Sequence, residues 1–405
     1  MKLLKLTSFY TAYIQDFYAK HPALDSQSYA QQKAVWDYDA FGWGDFWSHA
    51  LRPLDYEVME VTANLEPLQR AWAREHGVEW RQATWVWDLA WDQVIRFQPT
   101  ILFVDDYSTF SYQWLTEIRQ ICPSIRVIIG WCGAPHHDAG VFKACDAVLS
   151  CIPELVDYFR DRGHRSFHLN HAFEPRLLGR LGEITQDIDF SFVGSINRGK
   201  DGHGERERLL VNLSSQVPIQ IFTPNLDLTR TDELKTLAKG TLYGVMQALQ
   251  WTGIPQKALV KMPKIGQAAL WSYRPMVAVH PRLKTFTKPA VFGLEMYQTL
   301  RKSRVTFNHH IDISANSASN MRLFEATGVG ACLITDWKNN LKELFVPEQE
   351  VVTYKSVDEC VEKVKWLLRH PQERRMIAKA GQARTLKDHT FTQRAVKLDK
   401  IIKSL

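Results

Sequence analysis

Short apolar and β-branched runs, each closed by Gly, Pro or a polar turn, alternate along this chain with stretches of helical length. A strand that feeds a helix and then another strand can pair with its successor only in parallel, through a crossover, so the pattern constrains the fold to an α/β class with parallel sheets. Strands are expected over 101–105, 126–131 and 147–150, then over 189–194, 218–222, 277–280, 304–308, 331–335 and 351–354. Helices are expected over 154–162, 206–215, 292–302 and 358–370. At roughly 100–200 residues per domain, 405 residues make two or three domains. The expected division is a Rossmann-like domain over 1–185, a second over 186–385 and a terminal helix over 386–405, with a linker at 179–187. Two doubly wound domains facing each other across a cleft place ligands at the carboxyl ends of both sheets.

Charge separates the two halves. Residues 1–185 carry 17 basic and 23 acidic side chains, whereas 186–405 carry 33 and 21. Within 251–304 there are ten Lys or Arg and a single acid, Glu295. Such a face attracts anions, whether a nucleotide, a phosphorylated lipid, an acidic glycan or nucleic acid, or is simply solvated. It also makes peripheral contact with a membrane an expectation. No run approaches the roughly 18 apolar residues of a membrane span, and the opening residues 1–6 lack the apolar core of a secretory signal. A cytoplasmic protein, or one peripheral to the inner face of the membrane, is expected. The six cysteines are dispersed with no C-x-x-C pair, which suggests reduced thiols rather than disulfides or a zinc knuckle. Eight of the 14 Trp fall between 36 and 91, where they stack on sugars or, more commonly, fill a core.

Several motifs carry chemistry. Gly194-Ser195-Ile196-Asn197-Arg198-Gly199-Lys200-Asp201 matches G-x-x-x-x-G-K, but Asp201 stands where a P-loop needs a hydroxyl for Mg²⁺. The loop still suits phosphate contacts through backbone N–H groups. Trp131-Cys132-Gly133-Ala134-Pro135-His136-His137-Asp138 ends a strand in two histidines. His136 or His137, oriented by Asp138 or Asp106, could deprotonate an acceptor hydroxyl; substrate contact, metal binding and an ordinary polar loop are the alternatives. Asn308-His309-His310 ends another strand. Over 319–331, Asn320 is expected as an N-cap, Gly328 as the C-terminal stop, and Arg322 and Glu325 as a cation and a hydroxyl acceptor on the short helix between them. An Arg–Glu pair at i, i+3 on a surface helix is the plainer alternative. The D-x-D triplets at 37–39 and 187–189 would suit a metal-bound nucleotide, but neither sits at the carboxyl end of an expected strand.

Residues 320–335, continued by 337–345, resemble the donor-site region of GT-B glycosyltransferases, especially the CgeB-like spore-maturation group with its family 4-like donor domain. The tail 388–394 is similar to that group's closing motif, 192–195 to the first strand of its C-terminal domain, and 292–308 to the helix and strand preceding the donor motif. The resemblance covers about 190–405. It implies an acceptor-binding domain over 1–185, a nucleotide-sugar-binding domain over 186–385, and a sugar transferred from a nucleotide diphosphate to a hydroxyl or amine acceptor. No cofactor and no obligatory divalent metal are implied. Glu325 takes the place of the second glutamate of the E-x7-E element, which holds the donor ribose, and Ser317 stands where the first would be. The expected donor-binding set is Gly194, Ser195, Arg198, Lys200, Arg274, Asn308, His309, Asn320, Arg322, Leu323 and Glu325, with Lys261 and Lys288 as further cations. The expected catalytic set is His136, His137 and Asp138. A nucleotide-sugar epimerase and a non-catalytic nucleotide-sugar-binding protein are the alternatives; nucleic-acid binding is not expected, since no recognition motif accompanies the basic stretch.

Overall fold

A computed structural model describes residues 1–134, 140–196, 204–224, 230–263, 265–271, 275, 279–310, 314 and 316–405. Twelve strands form two six-stranded sheets, parallel throughout among the described residues. The first contains β1 (Lys2–Thr7), β2 (Glu57–Thr62), β3 (Ile101–Val104), β4 (Val127–Trp131), β5 (Ala147–Ser150) and β6 (Ser166–His168), in the order β2-β1-β3-β4-β5-β6. The second contains β7 (Ile188–Val193), β8 (Gln220–Phe222), β9 (Thr287–Lys288), β10 (Ser303–Asn308), β11 (Cys332–Asp336) and β12 (Val352–Tyr354), in the order β12-β11-β10-β7-β8-β9. Strand order reverses between β1 and β3 in one sheet and between β7 and β10 in the other. Loops leave those strand ends in opposite directions and open a crevice.

Of the expected strand over 277–280, only Val279 and His280 lie among the described residues, and neither is in a strand; the third strand on that side is Thr287–Lys288. The expected linker is helical at its start, Leu177–Leu181.

The chain crosses between the two halves twice, and the crossings are joined. Phe173 N donates to His389 O at 2.9 Å and Phe391 N to Phe173 O at 3.1 Å. Thr390 and Gln393 then form a capping box that starts the final helix, Phe391–Lys403, which packs back onto the first domain. Phe391 meets Phe46 and Trp47, and Arg394 Nε donates to the carbonyls of Asn170 and His171 at 3.1 Å each. The 388–394 motif is thus the device by which the chain turns and returns. A hydrophobic cluster runs unbroken from Leu3 and Trp47 through Phe173 and Tyr297 to Leu333 and Ile402, so burial of apolar surface couples the halves.

A second inter-domain contact sits at the start of the helix Gly293–Lys302. Gly293 has φ +51°, and a Cβ there would collide with the carboxylate of Asp39. That carboxylate accepts from Tyr13 Oη at 2.8 Å and Leu294 N at 3.4 Å, an anion against the positive end of the helix. Asp39 is therefore a structural anchor, and burial, partly offset by those bonds, raises its carboxyl pKa. Asp189, from the other D-x-D triplet, pairs with Arg304 at the amino ends of β7 and β10, remote from the crevice at their carboxyl ends. Trp36, Trp43, Trp47, Trp114 and Trp131 are buried, so packing is the use these rings find. Among the described residues no helix is long and apolar enough to cross a membrane.

Candidate functional site

The carboxyl ends of β7, β10 and β11 bring three loops together. Gly194 and Ser195 follow β7 directly, and Gly194 N donates to Phe222 O at 3.0 Å. Arg206, on the helix Gly204–Ser214, reaches into this edge: one guanidinium nitrogen donates to Ser195 O at 3.1 Å, another to His309 O at 2.6 Å. It therefore bridges the two strand ends that define the switch point. The expected cations Arg198, Lys200 and Arg274 lie outside the described residues, as do His136, His137 and Asp138.

Asn308 ends β10 and is buried. Its side-chain amide donates to Thr335 Oγ1 at 2.9 Å, and its side-chain oxygen accepts from Asn320 Nδ2 at 2.7 Å. Asn320 is consequently not an N-cap. The helix begins at Arg322 after Met321 with no side-chain cap, and Asn320 instead fastens its approach to the end of β10. Gly328 is likewise not the stop, since the helix Arg322–Gly328 includes it and Gly330 takes the left-handed backbone at φ +83°. What Gly328 provides is space, because a Cβ there would strike the ring of Phe173.

Next to Asn308, His309 Nδ1 lies 2.7 Å from Tyr354 Oη, which donates to Asn308 O at 3.2 Å. Burial outweighs the attraction of Asp336 and lowers the His309 pKa, which favours a neutral ring. His310 is fastened by Asp336, whose Oδ1 takes both the backbone N–H at 3.1 Å and Nδ1 at 2.7 Å. Its Nε2 is buried with no hydrogen-bond partner among the described residues. Lys338 Nζ lies 3.2 Å from Asp336 Oδ2. Burial would raise the Asp336 pKa, but His310, His309 and Lys338 together hold it well below the carboxylate range.

Glu325 is buried, 4% exposed, one turn into its helix. Arg322 NH1 lies 2.9 Å from its Oε2 and the hydroxyl of Tyr297 hydrogen-bonds to the carboxyl; burial outweighs both and raises its pKa. The i, i+3 pair exists, but inside the protein rather than on a solvated face. Leu323 is wholly buried in the shared core and anchors the helix. Ser317, eight positions before Glu325, donates to Glu154 Oε1 at 2.9 Å, so a carboxylate from the first domain reaches this position across the cleft.

Sequence reasoning missed Arg206, Asp336, Lys338, Tyr354, Tyr297 and Glu154 as members of this site. Lys338 lies within the donor-like region 337–345 and Asp336 between its two parts, so both were within reach; the others come from distant elements, and no local spacing marks them. The site assembles Arg206, Arg322 and Lys338 with Asp336, Glu325 and Glu154, three cationic side chains against three carboxyl groups. Such an arrangement can hold an anion beside buried carboxylates that accept hydroxyl hydrogen bonds. Among the described residues no group of three or more His, Cys, Asp or Glu suited to a metal occurs.

Residues 247–400 match the family model described as glycosyl transferase-like. No curated protein matches the chain in sequence. Among solved structures, sucrose-phosphate synthase from Thermosynechococcus elongatus superposes with a TM-score of 0.52 at 10% identity, covering 100% of this chain and 99% of that one. Anabaena HepE in complex with UDP-glucose gives 0.53 at 12% identity over 100% of both chains. An alpha-glucosyltransferase in complex with UDP-glucose and DNA containing an abasic site gives 0.54 at 10%, again over 100% of both. With two six-stranded parallel sheets and these neighbours along its whole length, the chain has the GT-B fold.

Proposed function

We propose that this chain is a nucleotide-sugar-dependent glycosyltransferase of the hexosyltransferase type, moving a sugar from a nucleotide diphosphate to a hydroxyl or amine acceptor in glycan biosynthesis, and that its donor site is the crevice at β7, β10 and β11. The observation that carries the reading is the buried Glu325, held by Arg322 and Tyr297 on the element next to the switch point, within the segment that matches the glycosyl transferase-like model. A carboxylate so held can accept hydrogen bonds from the two hydroxyls of a ribose. The UDP-glucose in two structural neighbours supports a nucleotide sugar as donor. The resemblance of 320–345 and 388–394 to the CgeB-like group narrows the proposal further.

Transfer breaks the bond between the anomeric carbon and the diphosphate, so negative charge grows on the leaving group. In the proposed site Arg206 and Lys338 offset that charge from the ends of β7 and β11, while the unpartnered His310 Nε2 is available to a donor oxygen. Arg198, Lys200 and Arg274 are proposed as further donor contacts, and 136–138 as the segment that takes the acceptor proton. The charge is met without a divalent ion in this scheme.

Incubating the protein with a nucleotide-sugar panel together with a panel of hydroxyl and amine acceptors tests the activity directly. Release of nucleotide diphosphate with retained turnover in EDTA is expected. Epimerised donor with no nucleotide released would overturn transfer, and Mg²⁺-restorable loss in EDTA would overturn the metal-free scheme.

A further inference from the structure

Between β8 and the edge strand β9 the chain makes an excursion that packs chiefly on itself. The helix Arg230–Trp251 and the turns after it share a small separate core of Met246, Leu259, Ala268 and Ala269, tied by Gln250 and Gln256 side chains to Ala269 O at 3.1 and 2.8 Å. With that core on one side, the outer face of such a helix is ordinarily polar. Here it is not. Leu234, Leu237, Val245 and Trp251 recur at helical spacing along the outside, and Leu237 is 59% and Trp251 96% exposed. Ile254 and Leu270 extend the exposed apolar surface. Eight of the 18 exposed large hydrophobic residues among those described fall between 234 and 270.

The same stretch is unanswered in charge. After Asp232 and Glu233 in the first turn of the helix, there is no Asp or Glu from 234 to 294, while Lys257 and Lys261, close in sequence to Ile254 and Met262, are exposed. A second copy of this face would set Lys257 and Lys261 against their own counterparts with no carboxylate between 234 and 294 to meet them, which disfavours an isologous dimer. A nucleic acid would engage the cations but leave the leucines and Trp251 in water. A bilayer bearing anionic headgroups satisfies both, since apolar side chains and an indole enter the interface while lysines stay at the phosphates.

We infer that this excursion is a membrane-docking surface, with the exposed stripe of Arg230–Trp251 entering an anionic leaflet and Lys257 and Lys261 contacting its headgroups. The inference is independent of the donor-site reading, because lipid binding requires no turnover. Flotation of the full chain with vesicles of phosphatidylcholine plus phosphatidylglycerol, against phosphatidylcholine alone, tests it. The chain should float with the anionic vesicles and bind the neutral ones at least about tenfold more weakly. Leu237→Glu with Trp251→Glu should abolish flotation, and Lys257→Glu with Lys261→Glu should reduce it more than about 20-fold, at roughly fivefold per cation neutralised. These side chains are exposed, so the thermal midpoint should not move in either variant. Absence of flotation by the unaltered chain would overturn the inference. Equal binding to both vesicles would do so too, as would either double variant binding like the original. A chain that does not float but forms a dimer broken by Leu237→Glu with Trp251→Glu would assign the surface to a second copy instead.

Discussion

Glu60 shows how far a single buried charge reaches in this fold. It is opposite Lys5 in the β1–β2 register, and its Oε1 accepts from Ser48 N at 2.8 Å and Ser48 Oγ at 2.7 Å. Lys5 itself is 1% exposed and spends its charge on Asp105 at 2.9 Å, over the face of Trp43. Burial, only partly offset by Lys5, Lys33 and Ser48, therefore pushes the Glu60 carboxyl from 4.5 up to about 7. The folded state binds this proton more tightly than the unfolded chain. The resulting stability is fully present below pH 4.5 and is lost as pH rises through about 7, by up to about 3 kcal/mol. Glu60→Gln keeps a neutral acceptor for Ser48 and removes that dependence. Urea unfolding of both proteins at pH 5 and pH 8 should show the variant gaining on the original at pH 8; parallel changes would contradict the assignment. Half-buried His171 and buried His389, whose pKa values desolvation lowers to about 3 and about 4, lose stability in the opposite direction as pH falls below 6.5. The paired comparison isolates Glu60 from them.

At the scale of elements, the helix Arg322–Gly328 is where local sequence and tertiary packing disagree most. Its capping signals pointed to Asn320 and Gly328, yet Asn320 bonds the end of β10 and Gly328 makes room for Phe173 from the inter-domain crossing. Gly328→Ala should cost about 1–3 kcal/mol by overpacking, whereas Gly179→Ala, in a helix with open space around it, should be neutral or stabilising by up to about 1 kcal/mol. Thermal melts of the two variants check this, and equal midpoints would show that Phe173 yields freely. The strands divide in the same way. β3, β4, β5, β7, β8, β10, β11 and β12, bounded by turn residues and linked by helical stretches, were legible to within a residue or two. β1 and β2 were not, because Lys5 and Glu60 interrupt their apolar runs and the partners that neutralise them appear only when the sheet forms. In the candidate site, Glu325 and Asn308 were legible because they sit on motifs. Arg206 and Glu154 were not, since a helix and a domain far along the chain deliver them.

Over the whole molecule, the charge division follows architecture. The half with net positive charge carries the second sheet, the crevice at β7, β10 and β11 and the excursion between β8 and β9; the net acidic half carries the first sheet and Glu154. The two are held by the paired crossings at Phe173 and Thr390, by Asp39 at the helix start Gly293 and by the shared core. Contact between Ser317 and Glu154 spans the cleft outside those anchors, so closing or opening of the halves bears directly on the site. The central claim is that this crevice binds a nucleotide diphosphate sugar through Glu325. Calorimetric titration of a nucleotide-sugar panel into the full chain and into Glu325→Gln, with circular dichroism to confirm folding, tests it most directly. One donor should bind the unaltered chain and bind the folded variant about 10- to 100-fold more weakly, the loss of a charged hydrogen-bond acceptor. Equal affinity in a folded variant, or no nucleotide-sugar binding to the unaltered chain, would contradict it.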